Sequence, residues 1–295
     1  MPAPTSILGR ILTALGISRR RRILPTWMGT AEIRELGEEF WSNAVFSART
    51  TSAKYLTTVK GLIDGMLEGE MDLPLARLTL KRTLGALGYT PEGGFPGDPD
   101  GAKVPPATEA TLQDLSSERR LELVLRTQEQ LMQGAAQKAL GLEPLAIRQF
   151  PAWELVRVGE RRMPRDWEAR WTIALANLDR PVPVKEPGEP LRLIAMKGDP
   201  IWKALGASDL FDDALDVDHP PFAFNSGMGW AGVDQETVRR LGITGPDGET
   251  VEDVLEVLPR PKASALGIDP EVLRKLKADL KLKDDREGVL ERGAA

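Results

Sequence analysis

The stretch Pro91 to Pro106 (PEGGFPGDPDGAKVPP) sets the strongest constraint on the fold. Glycine frees the backbone and proline removes a donor, so neither a helix nor a sheet ladder runs through it. It separates two stretches of helical pattern. Before it, Tyr55, Leu56, Val59, Leu62, Ile63, Met66 and Leu67 form one apolar stripe. Pro74 suits the first turn of a further helix, Leu75 to Leu87, which Gly88 closes. Thr30 is a candidate N-cap for an earlier helix carrying Ile33, Leu36 and Phe40. After the break, Ser117 caps a helix with Leu121, Val124, Leu125, Gln128, Leu131, Met132 and Ala135 on one face, ended by Gly141. Residues 30–141 therefore read as a helical bundle with a long loop at 91–106.

Residues 142–261 change character. Trp153 to Val158 and Leu191 to Met196 have the length and composition of strands, between proline-rich connections such as 181–187. Five of the seven tryptophans (Trp153, Trp167, Trp171, Trp202 and Trp230) fall here. The expected fold is α+β, a helical region followed by a compact tryptophan-rich domain. Residues 262–295 are expected to hold a last helix, Pro270 to Leu282, and a charged tail.

Residues 1–29 read as a basic amphipathic arm. An apolar piece, Ile7 to Ile17, is followed by Arg19, Arg20, Arg21 and Arg22. With Arg10, these give five arginines and no acid before Glu32, on a chain whose net charge is −5. Such a run is either a solvated arm, a salt-sensitive contact to nucleic-acid phosphates, or a dock for an acidic protein surface. A secretory signal places its charge ahead of the apolar run, and no apolar stretch reaches the ~18 residues of a membrane span. The expected location of synthesis and action is the cytoplasm.

Composition removes several chemistries. With no cysteine there is no disulfide, thiolate metal site or cysteine nucleophile. His219 is the single histidine, so a two-histidine metal site is excluded. No cofactor is expected.

Three further segments invite a functional reading. In Pro164-Arg-Asp-Trp-Glu-Ala-Arg-Trp171, Asp166 and Arg170 are spaced for an ion pair on a helix, as Trp167 and Trp171 are for an indole pair. Arg165 and Asp166 would then be polar site residues; the competing reading is a capped helix start with buried tryptophans. Asp209, Asp212, Asp213, Asp216, Asp218 and His219 form an acidic cluster, a metal site only if the carboxylates converge. Leu210, Phe211, Leu215 and Val217 alternate through it, which favours an acidic turn between packed hydrophobes. In Pro220-Pro-Phe-Ala-Phe-Asn-Ser-Gly-Met-Gly-Trp230 the glycines resemble a phosphate-cradling loop, yet no P-loop lysine or GxSxG elbow is present. A rigid loop over the tryptophans, or an exposed peptide-docking loop, fits it better.

Taken in order, these segments resemble the bacteriophage Mu minor head protein family, the phage head morphogenesis proteins, and most closely its prophage branch. The resemblance rests on Phe46-Ser-Ala-Arg-Thr-Thr, Ser117-Glu-Arg-Arg-Leu-Glu-Leu-Val-Leu-Arg-Thr-Gln, Phe150-Pro-Ala-Trp-Glu-Leu-Val-Arg, Pro164 to Trp171, Asp199-Pro-Ile-Trp202 and Pro220 to Trp230. It implies a low-copy virion protein bound to the portal and other capsid components during assembly and DNA packaging. It implies no established catalysis, no cofactor and no membrane. Its motif residues here are Arg165, Asp166, Trp167, Arg170, Trp171, Trp202, Pro220, Pro221, Phe222, Asn225, Gly227, Gly229 and Trp230. Arg10 and Arg19 to Arg22 would meet the portal or DNA. Family members often continue with a cysteine-arginine-cysteine element, for which this chain has no cysteine. The alternative from another class is a phage-encoded metal-dependent hydrolase using the carboxylates at 209–218.

Overall fold

The computed structural model describes residues 21–29, 32–33, 44–96, 98, 114–160, 164–181 and 191–258, with the backbone of 263–264, 282–284 and 289–292. The fold is α+β. Helices are α1 (Ala53–Glu68), α2 (Leu73–Ala86), α3 (Glu118–Gly141), α4 (Pro144–Gln149), α5 (Trp167–Asn177), α6 (Ile201–Leu205), α7 (Gln235–Leu241) and α8 (Val251–Val257). Strands are β1 (Arg22–Ile23), β2 (Ala44–Val45), β3 (Ala152–Arg157), β4 (Ile194–Met196), β5 (Met228–Val233), β6 (Ala263–Ser264), β7 (Leu282–Asp284) and β8 (Val289–Arg292). β1 and β2 pair in parallel, and the two larger sheets have the orders β4-β3-β5 and β6-β8-β7.

The chain divides into two compact units. The first takes Met1–Leu140, Glu154–Leu193 and Asp199–Ala231; the second takes Gly141–Trp153, Ile194–Gly198 and Gly232–Ala295. One change of unit, at 140/141, falls a residue from the expected boundary at 141/142, but residues 154–193 and 199–231 return to the first unit. Trp167, Trp171, Trp202 and Trp230 belong with the helices of the first unit, because their partners are there.

In the first unit the starts of α1, α2 and α3 are fixed by side-chain caps. The Ser52 hydroxyl accepts from the Tyr55 N–H at 3.2 Å to cap α1, and Asp72 caps α2 through the Leu75 N–H at 2.9 Å. Ser117 Oγ accepts from the Arg120 N–H at 3.2 Å at the start of α3. Each cap supplies an acceptor to one of the N–H groups a helix start leaves unmade. Gly69, at φ 76°, closes α1 in the left-handed region that favours glycine. The stripe of α1 packs on Ala76, Leu80 and Leu84 of α2 and on Leu121, Val124, Leu125, Met132 and Ala136 of α3. Fully buried leucines such as Leu80 each contribute about 2 kcal/mol by leaving water.

The basic arm reading changes at its last members. Arg21 is buried, at 6% exposure, and its guanidinium donates to the Ala44 carbonyl at 2.8 Å and to Gln128 Oε1. Burial lowers its pKa to about 10, against the opposing charge of Asp64. Arg22 follows exposed in β1, since neighbouring residues of a strand point to opposite faces. Arg10, Arg19 and Arg20 lie outside the described residues, as do Leu36 and Phe40 of the early helix and most of the loop at 91–106.

The second unit has its own core: Ala152, Ile194, Met196, Val233, Val238 and Val251. Asp234 caps α7 through the Thr237 N–H at 2.8 Å, and Thr250 with Asp253 forms a capping box on α8. Lys197 is buried, donating to the carbonyls of Gly141 (2.7 Å) and Ala146 (3.1 Å), and burial pulls its pKa down to about 8. The expected helix Pro270 to Leu282 falls outside the described residues, except that Leu282 opens strand β7.

Candidate functional site

The motif residues gather within the first unit around α5. Asp166 is its N-cap, accepting from the Ala169 N–H at 2.9 Å. The spacing-based ion pair with Arg170 is therefore corrected: the carboxylate caps its own helix, and Arg170 turns to Asp213. Arg170 Nη1 donates to Asp213 Oδ1 at 2.7 Å and its Nε to the Leu205 carbonyl at 2.9 Å. The same guanidinium lies over the Phe211 ring, 3.9 Å from its centroid, and over Trp167 at 5.1 Å.

Arg165 completes the arrangement. Its Nε pairs with Asp213, while Nη2 donates to the Phe224 carbonyl at 2.6 Å and Nη1 to the Asn225 carbonyl at 3.2 Å. One carboxylate thus faces two guanidinium groups. Burial opposes the ionisation of Asp213, but the hydrogen bonds and charges of Arg170 and Arg165 outweigh it and hold its pKa below the usual range. Burial lowers the pKa of Arg170, against the Asp213 bond and charge.

The expected Trp167–Trp171 indole pair gives way to a larger cluster. Trp202, from α6, meets Trp171 at 5.5 Å and Trp230 at 5.3 Å between centroids, both edge to face. It stacks on Phe222 at 6.3 Å, and Trp167 meets Phe222 at 6.4 Å. Edge-to-face geometry sets the positive rim of one ring on the negative face of the next. Phe222 is fully buried at φ 57° and Asn225 sits at φ 51°, so the 220–230 segment is a tightly specified loop. The Pro220–Pro221 peptide within it is cis. Gly227, at φ 67°, presents its carbonyl to the N–H groups of Val158 (2.9 Å) and Gly159 (3.1 Å). A Cβ on Gly229 would stand 2.8 Å from the exposed Val158 side chain, which would have to turn aside to admit it. The glycines therefore serve close packing and turning rather than a phosphate cradle.

Helix α3 holds the far side of this loop. Gln137 Nε2 donates to the Trp230 carbonyl at 2.9 Å, and Lys138 pairs with Asp218. Gly134 lies against Pro220 and His219 so closely that a Cβ would overlap the Pro220 carbonyl oxygen and stand 2.6 Å from His219 Nδ1. His219 is buried, with Nδ1 2.8 Å from the Pro220 carbonyl, which makes Nδ1 the protonated nitrogen. Burial lowers its pKa, while the Pro220 bond and Asp218 act the other way and Lys138 adds to the lowering.

The acidic cluster disperses. Asp213 faces the arginines, Asp218 faces Lys138, and Asp216 accepts from the Ser208 N–H at 2.7 Å. Among the described residues, no three histidine or carboxylate side chains are placed to hold a metal ion. No helix among them is long and apolar enough to cross a membrane. A small pocket of about 60 Å³ lies beside Phe46, Ser47, Arg120, Thr127, Gln128 and Phe224.

Asp213 as the partner of two motif arginines, and Gly134 as the seat of the loop, were not legible as such. Each lies far along the chain from the group it serves, and no local spacing marks it. No family model, curated protein or solved structure matches this chain.

Proposed function

We propose that this chain is a phage head morphogenesis protein, a minor capsid component that binds the portal vertex during capsid assembly and DNA packaging. The observation that carries the reading is how the resemblance-bearing segments meet. Arg120 of the Ser117 segment donates to Ser47 Oγ (2.8 Å) and the Ala48 carbonyl (3.3 Å) of the Phe46 segment. Arg165 of the Pro164 segment holds two carbonyls of the Pro220 segment, and Trp202 of the Asp199 segment joins Trp171 to Trp230. The segments of Phe46, Ser117, Pro164, Asp199 and Pro220 thus all lie in the first unit, which supports reading them as parts of one architecture.

On this reading the protein is made in the host cytoplasm and ends in the virion near the portal. Arg10, Arg19, Arg20 and Arg22 remain candidates for contact with DNA or an acidic portal surface; Arg21 does not. The metal-dependent hydrolase alternative draws no support from carboxylates that face separate partners.

Quantitative mass spectrometry of purified, DNA-filled particles, calibrated on the portal subunit, tests the proposal. A few copies per portal ring is the expected result. Presence in the infected cell with absence from the particle overturns it.

A further inference from the structure

Helix α2 buries Ala76, Leu80 and Leu84, spaced i, i+4 and i+8. The opposite face is therefore centred on positions 75, 78 and 82, spaced i, i+3 and i+7. Two of these are leucines: Leu75 is 48% and Leu78 45% exposed. A face turned to water needs no leucine at its centre, and here two stand one turn apart.

Charge narrows the occupant. The helix carries Arg77, Lys81 and Arg82 and no acidic residue, on a chain of net charge −5. Arg77 turns toward Glu122 at 3.8 Å, whereas Lys81 and Arg82 are exposed and have no ionic partner among the described residues. At the other end of the stripe, the Asp72 carboxylate is already engaged as the N-cap. Gly85 continues the outward face, and a Cβ there would meet nothing within 4 Å. A glycine weakens a helix relative to alanine, and the packing of this chain does not require one at 85. A partner approaching the backbone closely would.

We propose that the outward face of α2, Leu75, Leu78, Lys81, Arg82 and Gly85, docks an acidic protein segment whose apolar side chains lie between its carboxylates. The inference deepens the portal-binding reading and rests on it: the segment belongs to the portal subunit. Nucleic acid fits less well, because phosphates reward the two cations and offer the leucines nothing.

The test places a photo-crosslinking phenylalanine analogue at position 78 of the full chain in phage-producing cells. Purified particles are illuminated and the linked peptide is sequenced. The expected peptide comes from the portal subunit and holds at least two Asp or Glu residues beside the link. The double variant Lys81→Glu, Arg82→Glu should lower the yield about tenfold, the scale of a 1.4 kcal/mol loss. Gly85→Ala should raise the unfolding temperature yet lower the yield, which separates docking from folding. Links to a second copy of this chain, to lipid or to DNA overturn the proposal, as does the absence of any link in particles that contain the chain. Particles that lack the chain reject the portal reading itself, and this partner with it.

Discussion

Arg170 and Asp213, 43 residues apart, meet through a 2.7 Å hydrogen bond that ties the start of the tryptophan cluster to the acidic turn. The arginine is buried and the aspartate about one-third exposed, so the pair is neither a surface bridge nor a dry one.

Asp213→Asn removes the charge facing two guanidinium groups. Breaking a fully buried pair costs about 3–5 kcal/mol, and the exposure of Asp213 reduces this to about 1–3 kcal/mol. Urea unfolding followed by tryptophan fluorescence measures it. The Asp213 pKa is depressed in the fold, so its contribution is full above the ordinary aspartate range and fades as pH falls through the folded value. The variant should lack that acid-side loss.

Gly134→Ala tests the seating of the 220–230 loop. Alanine favours the helix by about 0.5–1 kcal/mol, but its Cβ collides with a backbone carbonyl that no rotamer change can move. A net destabilisation of about 1–3 kcal/mol is expected. A stability equal to or above wild type would remove the close approach from the account.

His219 predicts a pH dependence of opposite origin to acid pairing. Its folded pKa lies below the ordinary value near 6.5, so the unfolded chain takes up the proton first as pH falls. Stability should therefore decline between pH 7.5 and 5.5. His219→Asn, which keeps a donor near the Pro220 carbonyl and cannot titrate, should flatten that slope in denaturant titrations at the two pH values.

Arg21 and Arg22 separate fold from surface within one arginine run. Arg21→Ala leaves the Ala44 carbonyl and Gln128 Oε1 without their donor and should cost about 1–3 kcal/mol. Arg22→Ala should stay within about 0.5 kcal/mol in the same unfolding assay. Substituting the whole run would confound loss of binding with loss of stability, so any test of the arm has to spare Arg21.

The long helices α1, α2 and α3 were legible because their apolar spacing is local, whereas α4, α6, α7 and α8, of five to seven residues, are too short to show a period. The stripe from Leu121 to Met132 names α3, and Ser117 and Gly141 mark its ends. Asp166 carried two readings: its spacing from Arg170 offered an ion pair and its place at a helix start offered a cap, and the cap forms because the N–H groups of the first turn are free. The true partner, Asp213, sat in a run read as an acidic turn between packed hydrophobes, and sequence proximity of carboxylates says nothing of where each side chain turns. The boundary expected near residue 141 was drawn from a change in composition. Compact units follow contacts: one change of unit does fall at 140/141, but the rings of Trp171, Trp202 and Trp230 meet one another and Phe222 in later stretches that return to the first unit.

The interleaving of the two units has a consequence for synthesis. The last stretch of the first unit ends at Ala231, and it carries Phe222 and Trp230, the rings that close the aromatic cluster. At about 5–20 residues per second, α3 leaves the ribosome several seconds before Pro220 exists to cover Gly134. During that interval the apolar faces of the early helices have only one another for shelter. A nascent chain stalled near residue 200 is thus the form most in need of a chaperone, and most open to pairing with a neighbour on the same message.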